Sequence, residues 1–133
     1  MAVNLTDEFS EDLHTLLNAV TGLTGGLWKV RGETSVYPYA TYFFYATVTD
    51  KDTEKKHYEF YMQISVFHQG DTATTAEAVA WNLQDALDEA EGSFSLTGHT
   101  VTAIDNVVPP KTTKDNHKTW HTYSQFRIKI TKD

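Results

Sequence analysis

The sequence predicts an α+β domain in which two helices pack on an antiparallel or mixed β-sheet, in the order α-β-β-α-β-β. Two segments repeat apolar residues at helical spacing, and four segments alternate apolar and polar residues as strands do. The 133 residues suit one hydrophobic core and are too few for two, so residues 1–133 are predicted to form a single domain.

The first helix is predicted over Leu5–Val20, where apolar residues recur every three or four positions. Thr6 is the predicted N-cap, because a hydroxyl there accepts a hydrogen bond from a free backbone N–H. Three glycines between positions 22 and 26 end the periodic pattern, as a helix stop does. A short strand is predicted at Leu27–Val30.

A long β-hairpin is predicted next. Its strands are Tyr39–Thr49 and His57–His68, both rich in aromatic and β-branched residues, and the charged segment Asp50–Lys56 joins them. In the first strand the even positions form an apolar face from Ala40 to Val48. The odd positions carry further aromatic residues on the opposite face.

The second helix has the clearest pattern, an apolar stripe from position 73 to position 90. Thr72, Thr74 or Thr75 is its predicted cap, and Gly92 follows its end. Two strands, His99–Val108 and Thr119–Thr131, are predicted around a loop that begins at Pro109 and ends at Lys118. The even positions of the last strand are apolar, which predicts one buried and one wetted face.

Composition argues against several classes of partner. Eleven Lys and Arg against eighteen Asp and Glu give a net charge of -7, which repels phosphate backbones and anionic lipid surfaces. We therefore expect neither specific nucleic-acid binding nor membrane binding, and no apolar run reaches the roughly 18 residues of a membrane span. The chain has no cysteine, which excludes disulfides, thiolate nucleophiles and Cys-based zinc sites.

Catalytic and metal-binding patterns are weak. His117 and His121 are four residues apart, a separation of roughly 13 Å on a strand, and no acidic third ligand has metal-like spacing. His68 and Asp71 could form an acid-base pair, although a turn or cap accounts for both. We find neither a nucleophile elbow nor a phosphate-binding loop. The sequence therefore predicts a protein that is not an enzyme, without catalytic residues, bound metal or cofactor.

Aromatic residues outside the predicted core indicate a contact surface. Trp81 falls nearly opposite the apolar stripe of the second helix, where it either anchors a neighbouring subunit or is covered by a loop of its own chain. Phe43, Tyr45, Tyr61 and Phe67 lie on the non-core face of the hairpin, which the first helix would cover in a monomer or which would stay exposed.

The order of several motifs resembles the tail-completion proteins of long-tailed bacteriophages, also described as tail terminators or tail-to-head joining proteins. The likeness covers residues 37–130. It rests on Tyr37-Pro38-Tyr39, on Gln63-Ile64-Ser65-Val66-Phe67 followed by Gly70 and Asp71, on the helix Ala76–Leu87, and on the strand His121–Ile130.

This resemblance implies a structural virion protein at the head-tail interface, assembled in the host cytoplasm. It implies a homo-oligomeric ring, commonly a hexamer, that caps the tail tube protein, ends tube polymerisation and meets the head connector protein. An acidic ring would let DNA pass through without specific binding. Asp52, in the charged hairpin tip, is the candidate arm residue that reaches the next subunit.

Two alternatives remain open from the sequence. One is another head-tail connector, such as a head-closure protein, which differs in its partners. The other is a small-ligand-binding or isomerase-like α+β domain, which predicts a closed apolar pocket with convergent polar groups.

Overall fold

The computed structural model describes residues 4–29, 36–51, 56–70, 72–114 and 119–133. Its elements, in chain order, are α1 (Leu5–Leu17), β1 (Leu27–Lys29), β2 (Tyr39–Lys51), β3 (Lys56–Gln69), α2 (Thr74–Leu87), a 3-10 turn (Glu91–Ser93), β4 (His99–Lys114) and β5 (Thr119–Lys132). Among the described residues no helix is long and apolar enough to cross a membrane.

The five strands form one mixed sheet in the order β1-β2-β3-β5-β4. Strand β1 runs parallel to β2, and the other neighbours are antiparallel. The predicted α+β class with two helices on a mixed sheet is confirmed, and β1 is the short strand expected after the glycines. Because β5 lies between β3 and β4, the two hairpins share one continuous sheet.

Both helices pack on the same face of the sheet and enclose the core. Phe9, Leu13 and Leu17 of α1 and Val79, Leu83 and Leu87 of α2 are buried with the apolar side chains of β3 and β5. The ring of Phe9 stacks on Phe94 at a centroid distance of 4.3 Å and meets Phe44 edge-on at 6.0 Å. One cluster therefore joins α1, β2 and the segment after α2.

The ends of α1 differ from the prediction. Asn4, not Thr6, is the N-cap: its side-chain Oδ1 accepts a hydrogen bond from the Asp7 N–H at 3.1 Å. The helix ends at Leu17, three residues before Val20, and the chain then turns back toward β1. The Asn18 Oδ1 accepts from the Leu27 N–H at 3.0 Å, which ties this turn to the first strand.

The cap of α2 was also predicted wrongly. Ala73 occupies the N-cap position and makes no side-chain hydrogen bond, and Thr74 begins the helix itself. The helix ends at Leu87, before the end expected near Glu91, because Asp88 already has an extended backbone (ψ 126°); Glu89 follows with a positive φ of 55°. Ala90 is buried even so, from the turn that follows the helix.

Strand β4 is longer than predicted. The strand continues through the expected loop as far as Lys114, so the prediction was wrong for residues 109–114. Prolines fit here because β4 is an edge strand, where a missing N–H need not break a ladder. The register with β5 shifts between Val108 and Lys111, across the proline pair. Residues 115–118 of the predicted loop lie outside the described residues.

Strand β2 contains a bulge that interrupts its predicted alternation. The register with β3 shifts between Phe44 and Ala46, so that Ala46 lies opposite Tyr61. The strict alternation predicted from Ala40 to Val48 is therefore interrupted after Phe44, because the bulge inserts one extra residue into the strand. The hairpin strands reach Lys51 and Lys56, and the intervening tip lies outside the described residues.

Candidate subunit interface

One face of the sheet carries neither helix; we call it the outer sheet face. In β5 the even positions Phe126, Ile128 and Ile130 are buried under the helices, as predicted, and the odd positions point the other way. Because the α1 side chains Phe9 and Leu13 belong to the core, α1 does not cover the outer face. The described residues therefore leave this face open to solvent.

Three of the predicted interface residues meet on the outer sheet face. Phe43 and Tyr45 lie 6.3 Å apart, and Tyr45 and Tyr61 lie 5.9 Å apart, measured between ring centroids. Phe43 is 42% exposed and Tyr45 is 45% exposed. Aromatic rings with few rotatable bonds lose little entropy when a partner covers them, which suits them to contact surfaces.

Hydrogen bonds hold this aromatic group in place. The Tyr45 hydroxyl donates to Gln125 Oε1 at 3.2 Å, reaching over β3 to β5. Gln125 Nε2 donates to Gln63 Oε1 at 3.1 Å, and Gln63 Nε2 donates to Ser65 Oγ at 3.2 Å. A chain of polar contacts thus links three strands and orders the face before any partner binds.

Phe67 lies on the same face but is partly covered by its neighbours. Its ring stacks on Tyr39 at 5.2 Å and on His121 at 4.7 Å, with interplanar angles of 26° and 13°. His121 Nε2 is buried and has no hydrogen-bond partner. Burial lowers the pKa of His121 below its ordinary value of 6.5, because a charged imidazole would lose its hydration.

One ion pair lies at the other end of the outer face. Arg127 donates to Asp105 at 3.0 Å, and this hydrogen bond raises the pKa of the guanidinium further. Both side chains are more than one third exposed, so solvent screens the pair and it adds little stability. The charged pair of Arg127 and Asp105 makes the β4–β5 end of the outer sheet face polar.

Trp81 lies apart from the hairpin aromatics. It is on α2, in the helical layer, and 48% exposed, so the described residues do not cover it. Asp52 lies outside the described residues. So do His117 and Asp71, the partners in the two weak chemical patterns. The structure therefore brings together Phe43, Tyr45 and Tyr61, with Phe67 along the same face.

Sequence reasoning missed three other exposed apolar side chains: Trp28 (42% exposed), Val36 (48%) and Val107 (48%). A signal existed for Trp28, since it follows Leu27 in the predicted strand Leu27–Val30, and neighbouring side chains of a strand point to opposite faces. No alternation of apolar and polar residues predicted the exposure of Val107, because β4 shifts its register with β5 at three places.

The surface has clefts of modest size. One of about 140 Å³ lies between α2 and β4 and is lined partly by Gln84, Asp85 and Asn106. Another of about 200 Å³ lies at the sheet end beside His57 and Lys129. Ligand pockets typically measure about 300–1,000 Å³. The described residues contain no group of three or more His, Cys, Asp and Glu side chains arranged to hold a metal ion.

Comparison with known families decides what kind of protein carries this surface. The profile of the family described as Tail completion protein gp17 matches residues 12–131. The chain belongs to this family. It is therefore a structural protein of a phage tail. No match was found among curated protein sequences.

Solved structures share the fold of this tail completion protein. A chain from the virion of a native gene transfer agent particle is similar, with a TM-score of 0.81 and 15% sequence identity; the match covers 98% of this chain and 99% of that chain. A second solved structure matches with a TM-score of 0.56 and 20% identity, over 96% of this chain and 92% of the other. At these identities the likeness concerns the fold.

Proposed function

We propose that this tail completion protein forms a ring, a hexamer, on the end of the phage tail tube. The ring ends polymerisation of the tube protein and joins the tail to the head connector, without catalysis. It assembles in the host cytoplasm and stays in the virion at the head-tail interface. Family membership supports this proposal, and so does the similar fold found in a gene transfer agent virion.

The observation that carries the proposal is the open, ordered outer sheet face. Phe43 and Tyr45 are each more than 40% exposed although 23 other hydrophobic side chains are buried in the core. Because these rings lie on the face away from the core, they would lose unfavourable hydration against a partner. A subunit of an assembly has such a partner.

The charge distribution supports the passage of DNA. All eleven Lys and Arg residues lie outside the two helices, and the helices carry six of the eighteen carboxylates. A net charge of -7 per subunit gives a ring of strongly negative potential. DNA would slide through such a ring without binding, because carboxylates repel phosphates.

The ligand-binding alternative has less support. It requires an enclosed apolar pocket, whereas the two clefts described above are small and open, with polar lining residues. A head-closure role differs from tail completion only in the partners of the ring, and family membership favours tail completion.

A tube-length assay tests the proposal. The tail tube protein of the same particle is polymerised with and without this protein, and tube lengths are measured by electron microscopy. We expect substoichiometric amounts to stop elongation. The double variant Phe43→Ala/Tyr45→Ala should remain folded and lose this effect, whereas Thr47→Ala, an exposed position on the same strand, should retain it. Unchanged tube lengths with the natural protein would overturn the proposal.

A further inference from the structure

The large hydrophobic side chains that are exposed in the described part of the chain fall at the two opposite edges of the sheet. At one edge, which we call the β1–β2 edge, they are Trp28, Val36, Phe43 and Tyr45; at the other, the α2–β4 edge, they are Trp81 and Val107. The central strands β3 and β5 carry none of them. Two separate apolar edges on one subunit indicate two separate contacts.

Trp81 belongs to the β4 side of α2. It lies one turn after Glu77, whose carboxylate accepts a hydrogen bond from Thr112 of β4 at 3.2 Å. It lies one turn before Asp85, which lines the cleft between α2 and β4. Residues four apart share one helix face, so Trp81 stands between two side chains that are both directed to the β4 edge.

At the β1–β2 edge the exposed rings share the outer face. Trp28 pairs with Thr41 across the parallel ladder, and Phe43 is two residues farther along the same face of β2. The Trp28 indole N–H donates to the Gly25 carbonyl at 2.9 Å, which fixes the ring. Trp28, Phe43 and Tyr45 thus form a strip along two neighbouring strands.

The two edges differ in charge. Helix α2 carries Glu77 and Asp85 on either side of Trp81 and contains no Lys or Arg, and β4 adds Lys111 and Lys114 farther along the edge. Strand β1 and residues 36–49 contain no Asp or Glu, and Lys29 is exposed at this edge. In a chain with a net charge of -7, two acidic surfaces repel each other. The carboxylates beside Trp81 therefore fit the apolar edge whose described residues 27–29 and 36–49 contain no carboxylate.

We infer that the α2–β4 edge of one copy packs against the β1–β2 edge of the next copy, with Trp81 on the strip formed by Trp28, Phe43 and Tyr45. The contact joins two different surfaces of the same chain, so it repeats from subunit to subunit and closes when the rotation permits. This inference rests on the proposed ring and specifies how its subunits meet.

Site-directed crosslinking tests the contact, because the chain has no cysteine of its own. Lys29→Cys and Asp85→Cys place one thiol at each edge, and a short bis-maleimide joins thiols that come together. Within one subunit the edges are separated by about four strand spacings, roughly 19 Å, which limits bridging inside the chain. We expect the chain carrying both cysteines to give a ladder of covalent oligomers that ends at the ring.

Mixtures of the single-cysteine variants show whether the contact joins two different surfaces or two identical surfaces. Lys29→Cys mixed with Asp85→Cys should give covalent dimers, and either variant alone should stay monomeric on a denaturing gel. Gln69→Cys mixed with Asp85→Cys is the matched control, since Gln69 is exposed on β3, the central strand of the sheet and away from both edges, and this mixture should not crosslink. Dimers from Asp85→Cys alone would overturn the inference in favour of a contact between identical surfaces.

Native mass spectrometry of the same samples separates this inference from the proposed function. An assembled ring without Lys29–Asp85 crosslinks overturns the contact and leaves the ring intact. Absence of any oligomer, alone or with tail tubes, overturns both. As an independent readout, Trp81→Ala should raise the dissociation constant of the subunits about thirtyfold, whereas Thr75→Ala, exposed elsewhere on α2, should leave it unchanged.

Discussion

Tyr45 is the residue that most connects local sequence to the candidate interface. It occupies the bulge of β2, between the register positions of Phe44 and Ala46, and its hydroxyl bonds Gln125 on a strand 80 residues later. Alternation along the hairpin predicted its place on the non-core face. The contact with β5 could not be predicted, because the order of strands in a sheet depends on packing of the whole chain.

His121 gives a testable pH dependence. Burial against Phe67 lowers its pKa in the folded state, so the unfolded chain binds a proton more readily there. The folded state therefore loses stability as the pH falls through about 6.5, until the folded histidine is protonated as well. Urea unfolding at pH 7.5 and pH 5.5 should show a lower free energy of unfolding at the lower pH.

Two variants isolate this effect. His121→Phe keeps a ring beside Phe67 and should reduce the loss of stability between the two pH values. Thr113→Ala changes an exposed residue paired with His121 and removes no titratable group, so it should leave the pH dependence as in the natural chain. If His121→Phe loses as much stability on acidification as the natural chain, burial of His121 does not cause the dependence.

At the scale of the elements, the two helices show which sequence signals are sufficient to predict a helix and its buried face. The apolar stripes predicted both helices and their buried faces, because a period of 3.6 residues is a property of one segment alone. The caps were predicted less well. The N-cap of α1 is Asn4 and not the predicted Thr6, and the N-cap position of α2 holds Ala73 and not a threonine. Caps depend on single hydrogen bonds, and several residues near a helix start can make them.

Leu83 tests the packing of α2 on the sheet. Its side chain is 1% exposed, among the residues that join α2 to β3 and β5. Leu83→Ala should lower the free energy of unfolding by about 2–5 kcal/mol, because it removes buried methyl groups and leaves a cavity. Chemical denaturation measures the change. Thr75→Ala, on the exposed side of the same helix, should stay within about 0.5 kcal/mol.

The edge strands explain where strand prediction was incomplete. Pro109 and Pro110 indicated a loop, yet β4 continues through them to Lys114. An edge strand tolerates proline, and only the sheet order identifies β4 as an edge. Proline and register shifts also hinder uncontrolled pairing of exposed edges. An edge strand with these features can contact one specific neighbouring protein without pairing with others.

For the whole molecule, the sequence predicted the class, the sheet with two helices packed on it, and the aromatic non-core face of the hairpin, but it left open whether α1 covers that face. It placed Trp81 outside the core by its helical angle, and the structure leaves it exposed. It did not reveal that Trp81 and Trp28 belong to opposite edges, because that relation requires the strand order β1-β2-β3-β5-β4. These two edges are the surfaces that we propose to meet between neighbouring subunits.

We propose that this tail completion protein is a ring subunit at the end of a tail tube. Electron cryo-microscopy of tail tubes incubated with the purified protein tests it most directly. We predict one additional ring of six subunits at a single end of each tube and none along its length. Bare tube ends, or copies bound along the tube wall, would contradict the claim.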